Sequence, residues 1–440
     1  MKIRSLILAA CVLLVLTGTL YWSEHRKPAP DTKALADTPP AILKLDRAAI
    51  TKLAIKKKDA EPILLAKNDA GAWQITQPEP LRADQDTVSG VLSTLSSLNS
   101  ERLIDDKATD LKQYGLDQPA LEVDLSEKDN QAQKLLIGDQ SPAGAAVYAM
   151  VAGDPRVFTL ATYNKMSFDK SLNDLRDKRL LTVAADKVSR LDLVRKSQDI
   201  EFGRNKDEWQ ILKPKPLRAD SVAVGDLVNQ LANARMDLGG ADGSGKGADS
   251  AFAHGSPVAI AKVTDESGSQ QLQIRKDKDT YYAKSSIANG AFKIDSSLGQ
   301  AVDKSLDDFR NKKIFDFGFS EPSKIEFHDG SQAYFLSKGG QDWWNNGKKM
   351  DSGTVEALIG DLGSLTASKF VDSGFANPTI EAIVTSSDGK RVEKVSIAKS
   401  GNNYIAKREN DPTLYQLDSS AVVDLQRAAD AIKPAVAPGK

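Results

Sequence analysis

Cysteine is almost missing from this chain of 440 residues: its single example, Cys11, lies in the N-terminal apolar run. Everything from Ser23 to Lys440 lacks it, which excludes structural disulfides, thiolate metal sites and cysteine nucleophiles together. That composition suits an oxidising compartment, where stray thiols would mispair. Histidine is nearly as scarce. His25, His254 and His328 stand far apart and in no equivalent positions, so metal and general-base roles have no partner pattern. Aromatic residues make up only 6%, no basic stripe runs among them, and 59 Lys and Arg nearly balance 60 Asp and Glu. Nothing here provides for stacking on bases or for a phosphate-seeking field, and nucleic acid is not expected as a partner. Ser285-Ser286 has no adjacent base and no nucleophile-elbow glycines. Carboxylates are plentiful, but their separations, which decide paired acid–base work, are not written in a sequence. No catalytic, cofactor-binding or metal-ligating residue is assigned, and no cofactor is expected.

Long apolar runs are also lacking, apart from one. Lys2 and Arg4 precede a charge-free stretch from Leu6 to Trp22 that ends on the aromatic pair Tyr21 and Trp22. At 1.5 Å per residue it reaches ~26 Å, enough for a hydrocarbon core. The expectation is an uncleaved signal anchor. A cleaved signal peptide is the second reading, weakened because the small-x-small site Ala34-Leu35-Ala36 lies too far downstream. A lipoprotein is the third, on Leu8-Ala9-Ala10-Cys11, but the apolar run continues well past that cysteine. Arg26, Lys27 and Lys33 blur the charge rule for orientation, yet long domains translocate largely regardless of charge. The bulk of the chain is expected outside the cytoplasm, held by one span in a bacterial inner membrane.

Comparing the chain with itself exposes repeats. WQITQPEPLRAD at 73–84 returns as WQILKPKPLRAD at 209–220, and DKSLNDLRDKRLL at 169–181 returns as DKSLDDFRNKKIF at 303–315. A third copy has diverged further: Trp343-Trp344 leads to Asp351, Phe370-Val371 answers Leu103-Ile104, and Gly374 to Pro378 answers Gly115 to Pro119. Residues 1–22 thus form the anchor, 23–42 a linker, 43–181, 182–315 and 316–433 three modules, and 434–440 a tail. Within a module, short alternating runs read as strands, and Val88, Val91, Leu92, Leu95 and Leu98 read as a helix. A closing helix is expected over residues 167–180, and one in the second module over 222–238. Short turns between strands favour antiparallel pairing, so the class is α+β, each module a mainly antiparallel sheet with two helices.

Taken together, Trp-x-Ile before a proline and Ala-Asp, then Tyr114 to Pro119, then Leu175-Arg176-Asp177-Lys178 with Leu180-Leu181 resemble the bacterial family called domain of unknown function 4340. The resemblance covers most of 45–315 and is weaker in the third copy. It implies an N-terminal membrane segment and, because such proteins are often encoded beside gliding-type ABC transporter components, an envelope transport accessory. The family supplies no established catalytic residues.

Each motif has a plain structural reading. Asp84, Asp220 and Asp351 precede apolar-periodic runs, as helix N-caps do, while the prolines before them stop a strand. Arg82 and Arg218 are the candidate partner-binding residues of that stretch. Trp73, Trp209 and Trp343 or Trp344 recur once per module, as sheet–helix packing requires. Adjacent strand residues face opposite ways, so one of Trp343 and Trp344 should be exposed and is a candidate for partner contact. Residues 240–247, GADGSGKG, fall short of a phosphate loop: Gly247 stands where Ser or Thr should hold magnesium, and a helix precedes where a strand is needed. A loop insertion is expected there. The leading functional expectation is a non-enzymatic scaffold or binding accessory of an envelope ABC-type transport complex. The alternatives are a periplasmic enzyme acting on an envelope polymer through inter-module carboxylates, and a passive spacer.

Overall fold

The computed structural model describes residues 41–128, 131–142, 144–239, 247–317 and 321–436. The span from Leu6 to Trp22, its linker to Pro40 and residues 240–246 of the glycine-rich insertion lie outside the described residues. Among those described, no helix is long and apolar enough to cross a membrane. The described residues form an α+β fold with three antiparallel sheets of nine, eight and nine strands, one for each repeat. Two compact units contain them: one sheet up to Lys178, and two from Arg179 onward.

The first unit shows the plan. Its strands are β1 (Ile50–Lys57), β2 (Ile63–Lys67), β3 (Trp73–Gln77), β4 (Leu81–Arg82), β5 (Arg102–Asp105), β6 (Leu121–Glu127), β7 (Ala132–Gln140), β8 (Ala146–Val151) and β9 (Val157–Ala161). They lie in the order β4-β3-β2-β1-β6-β7-β8-β9-β5, two meanders joined along β1 and β6. Leu53 stands opposite Leu125 and Ile55 opposite Val123, so alternate residues line one buried face. Helix α1 (Gln85–Ser96) covers that face through Val88, Val91, Leu92 and Leu95, the spacing of an amphipathic helix. Asp84 caps it by accepting from the Thr87 amide at 2.9 Å, and Asp220 and Asp351 cap their helices likewise. Trp73 is buried between sheet and helix, and the Gln85 side chain holds both its amide and its carbonyl.

The Gly-Leu-Asp turn folds over the opposite face of the sheet. Gly115 has φ +65°, and a Cβ there would lie 2.5 Å from the Asp139 carboxyl carbon, so backbone and space both favour glycine. Leu116, Met150 and Val157 form a small second cluster beneath it, edged by Tyr114 and Tyr148.

The closing helix is the main correction. Instead of one helix over 167–180, α2 (Thr162–Phe168) and the single turn α3 (Leu172–Leu175) form, and the chain is extended from Arg176. Asp84 and Arg82 draw it out: Asp84 N–H donates to Leu175 O at 2.8 Å, and Asp177 N–H donates to Arg82 O at 2.9 Å. In the second unit the helix expected over 222–238 ends at Ala232 for a similar reason, because the Ala234 carbonyl accepts from the Leu180 amide. There too, the helix Ala248–His254 replaces the glycine turn. It lays Phe252 against the sheet under the Arg275 and Lys284 cations, 5.0 and 5.1 Å from the ring centre.

Candidate functional site

The two best-preserved repeat segments turn out to bind each other. In the second module, Asp220 N–H donates to Phe309 O at 2.8 Å and Asn311 N–H to Arg218 O at 3.0 Å, the same pair of bonds made in the first. The third has Asp351 N–H on Lys433 O and Ala435 N–H on Lys349 O. The Leu-Arg-Ala-Asp motif is thus one jaw of a clasp. Its other jaw is aimed by a one-turn capping box, in which Ser171 holds Asp174 and Ser305 holds Asp308. Hydrogen bonds from those serines, working against partial burial, keep both aspartates below the usual carboxylate range.

A second device secures the start of each module, and sequence reading missed it. Gln133 accepts from Lys44 N–H at 3.0 Å, Gln270 from Thr182 N–H at 2.8 Å, and Glu393 from Asp316 N–H at 2.7 Å. The signal was a polar residue two places before the first buried apolar residue of a strand, in Gln133-Lys134-Leu135, Gln270-Gln271-Leu272 and Glu393-Lys394-Val395. On the adjacent strand a partner catches the incoming carbonyl: Ser285 binds Leu180 O, and Arg408 binds Ile314 O. The third module has therefore replaced a neutral Gln and Ser by an ion pair, Glu393 and Arg408, 3.1 Å apart and only 8% and 13% exposed.

Residues 309–317 carry both devices at once. They close the second module and open the third, and beside them lies a cleft of about 1530 Å³. Arg218 reaches across it, donating to Lys313 O at 2.9 Å and to the Tyr415 hydroxyl at 3.4 Å, with Asp316 3.7 Å away. Tyr415 in turn donates to Asp411 at 2.7 Å. Burial acts to raise Asp411, but the bonds from Tyr415 and Thr413 and the Arg218 charge outweigh it and hold the carboxyl below its usual range. Burial, then the bond to Asp411, pushes the Tyr415 hydroxyl up. Ser386 and the Lys390 amide hold Asp388, on the cleft wall, below the usual range. Arg391 meets Glu208 at 3.2 Å and also donates to Asp316 O. Arg310 lies 3.4 Å from the centre of the Phe370 ring. Among the described residues no group of His, Cys, Asp or Glu is placed to hold a metal ion.

The candidate residues fall in different places. Arg218 is a junction residue, and Arg82, in the first unit, stands 3.7 Å from Asp177 beside the clasp. Trp343 is core, 2% exposed, whereas Trp344 is 37% exposed on the outer face of the third sheet. That face also carries Phe335, whose ring meets His328 edge-on at 5.4 Å.

Comparison with known proteins adds a family and little else. No curated protein matches the chain. Among solved structures it is similar to a DNA polymerase sliding clamp from Pseudomonas aeruginosa with ligand, at 8% identity over 86% of this chain and 93% of that one, with a TM-score of 0.16. A sliding clamp (DNA polymerase III subunit beta) of the same organism bound to griselimycin follows at 7% identity, the same coverages and a TM-score of 0.15. Scores so low support no inference about fold or role. The family described as Domain of unknown function (DUF4340) matches residues 73–244 and again 209–382, two stretches that begin at the repeated tryptophans Trp73 and Trp209. These matches extend over most of the three sheets, and the chain belongs to the DUF4340 family.

Proposed function

We propose that this chain is a membrane-anchored, extracytoplasmic, non-enzymatic repeat protein that serves as a scaffold or binding arm of an envelope ABC-type transport complex. The observation that carries this reading is the use made of charge at the junction of the second and third modules. Arg218, Arg391, Arg408, Asp316 and Glu393 are engaged in tying 309–317 to both modules. Asp411 and Asp388 are held ionised, opposite in direction to the raised carboxyl of a general acid. A junction stitched in this way supports a fixed spacing of binding surfaces. Anchorage rests on the run from Leu6 to Trp22 and the transporter link on the family resemblance.

Affinity purification of the full chain from crosslinked native membranes tests this. Recovery of the membrane and ATPase subunits of one transporter is the expected result. A chain that returns alone after efficient crosslinking contradicts the proposal. A phosphatase fused to Lys440 should be active outside the cytoplasm, and protection of the chain from protease in spheroplasts would contradict that placement.

The enzyme alternative has one observation in its favour, the convergence of Asp316, Glu393 and Asp411 on a single cleft. Release of fragments from an isolated envelope polymer, abolished by Asp411→Asn with the fold intact, would establish it in place of the scaffold.

A further inference from the structure

In the first unit, the large apolar side chains left exposed among the described residues are Leu103, Ile104, Tyr163 and Met166. They sit on two elements, each joined to β9. Strand β5 carries Leu103 and Ile104 at the edge of the sheet, paired to β9, and β9 runs directly into α2 with Tyr163 and Met166. Tyr163 is 70% and Met166 67% exposed, one helical turn apart. Nothing in the packing of α2 calls for them, since the helix buries Phe168 instead. The corresponding residues of the second module are the polar and exposed Ser297 and Gln300, counted from the aligned Asp169 and Asp303. Tyr163 and Met166 thus have no apolar counterpart in the second module, whereas Leu103 and Ile104 are answered by Phe370 and Val371 in the third.

Its position indicates what covers it. The N-terminal 40 residues join the fold at this corner: Ala41 bridges Asn99, Ile42 N–H donates to Leu98 O, and Glu101 N–H donates to Thr159 O on β9. Ser23 to Pro40 supplies a linker of at most ~60 Å when extended, and shorter when relaxed. A surface rooted so close to a membrane span is offered to the bilayer at high local concentration, so weak affinity suffices. Tyrosine is the residue type that favours the headgroup level, with apolar neighbours reaching the acyl boundary.

We infer that Leu103, Ile104, Tyr163 and Met166 form a membrane-seating surface that rests on the bilayer into which the segment from Leu6 to Trp22 inserts. This inference depends on the anchor reading, and its test separates the two. In a full-length Cys11→Ser background, a fluorophore is attached in separate proteins at Leu16→Cys, Met166→Cys and Gln300→Cys. Each is reconstituted into phosphatidylethanolamine–phosphatidylglycerol vesicles containing nitroxide lipids. The expected result is strong quenching at 16 and quenching at 166 at least about two-fold greater than at 300, abolished at 166 by adding Leu103→Ser and Tyr163→Ser. Quenching at 16 with 166 no different from 300 overturns the seating surface and leaves the anchor standing. Absence of quenching at 16 overturns both. Protection of 166 from aqueous iodide without lipid quenching assigns the corner to a second copy of the chain and overturns the inference.

Discussion

Glu393 and Arg408 occupy the positions held by Gln270 and Ser285 one module earlier, with the same backbone groups as their targets. The neutral pair shows that a charge is not required for the task. Removing one member of a well-buried ion pair strands the other, so Glu393→Gln should destabilise the second unit by about 3 kcal/mol. Arg408→Ser should do comparable harm. The double variant Glu393→Gln/Arg408→Ser installs the solution of the second module and should be more stable than either single variant in urea unfolding. Additive losses would mean that the pair acts independently of its shared target. The repeated tryptophans make a second residue-scale prediction. Trp73→Ala and Trp209→Ala each empty a buried space between sheet and helix and should each cost about 3–5 kcal/mol. Variants that melt like the parent would place those side chains outside the core.

At the scale of elements, the clasp responds to acid with a definite sign. Asp174, Asp308 and Asp411 all have folded-state pKa values depressed below the unfolded value, the first two chiefly by serine hydrogen bonds. The unfolded chain therefore takes up protons first as pH falls through ~4, so the stabilisation is present above that pH and fades on the way down to the folded values. Urea midpoints of the full chain between pH 7 and pH 3 should drop most steeply below ~4, and Asp308→Asn should flatten that drop. A midpoint independent of pH in this window would remove the capping boxes from the clasp.

Much of this element layer was legible from local pattern. The caps at Asp84, Asp220 and Asp351 follow from one residue type before an apolar period, and the tryptophan strands from alternation. Long helices over 167–180 and 222–238 were wrong because Arg176 to Leu181 and Ala234 to Leu238 are drawn into backbone bonds with distant segments, which helical spacing does not report. Strand β5 and its counterpart Lys369–Val371 were visible as matching pairs of apolar residues, but too short to read as strands. The cleft was less legible than the sheets. Arg218 stood out by repetition, whereas Glu393, Arg408, Asp411 and Tyr415 are gathered only by tertiary contact, and nothing periodic marks them.

For the whole molecule, the stitched segment 309–317 makes the second unit more than two modules in a row. A damaged module in a loosely linked array unfolds alone, but here the residues that close one sheet also open the next. Trp209→Ala should therefore speed hydrogen exchange not only at Leu191 and Leu193 of its own sheet but also at Ile325 and Val384 of the third. Acceleration confined to the second sheet would show that 309–317 is a passive tether.

The same shared segment imposes an order of events on a chain that leaves the ribosome N-terminus first. All strands of the second sheet have been made by Ile294, yet Arg218 and Asp220 wait for Phe309 and Asn311 before the clasp can shut. Only a few residues later Ile314 and Asp316 emerge, already committed to strands of the third sheet that do not yet exist. Completion of one module and nucleation of its successor thus arrive in the same short burst of synthesis, and a fragment cut after Val302 would lack its own last fastening.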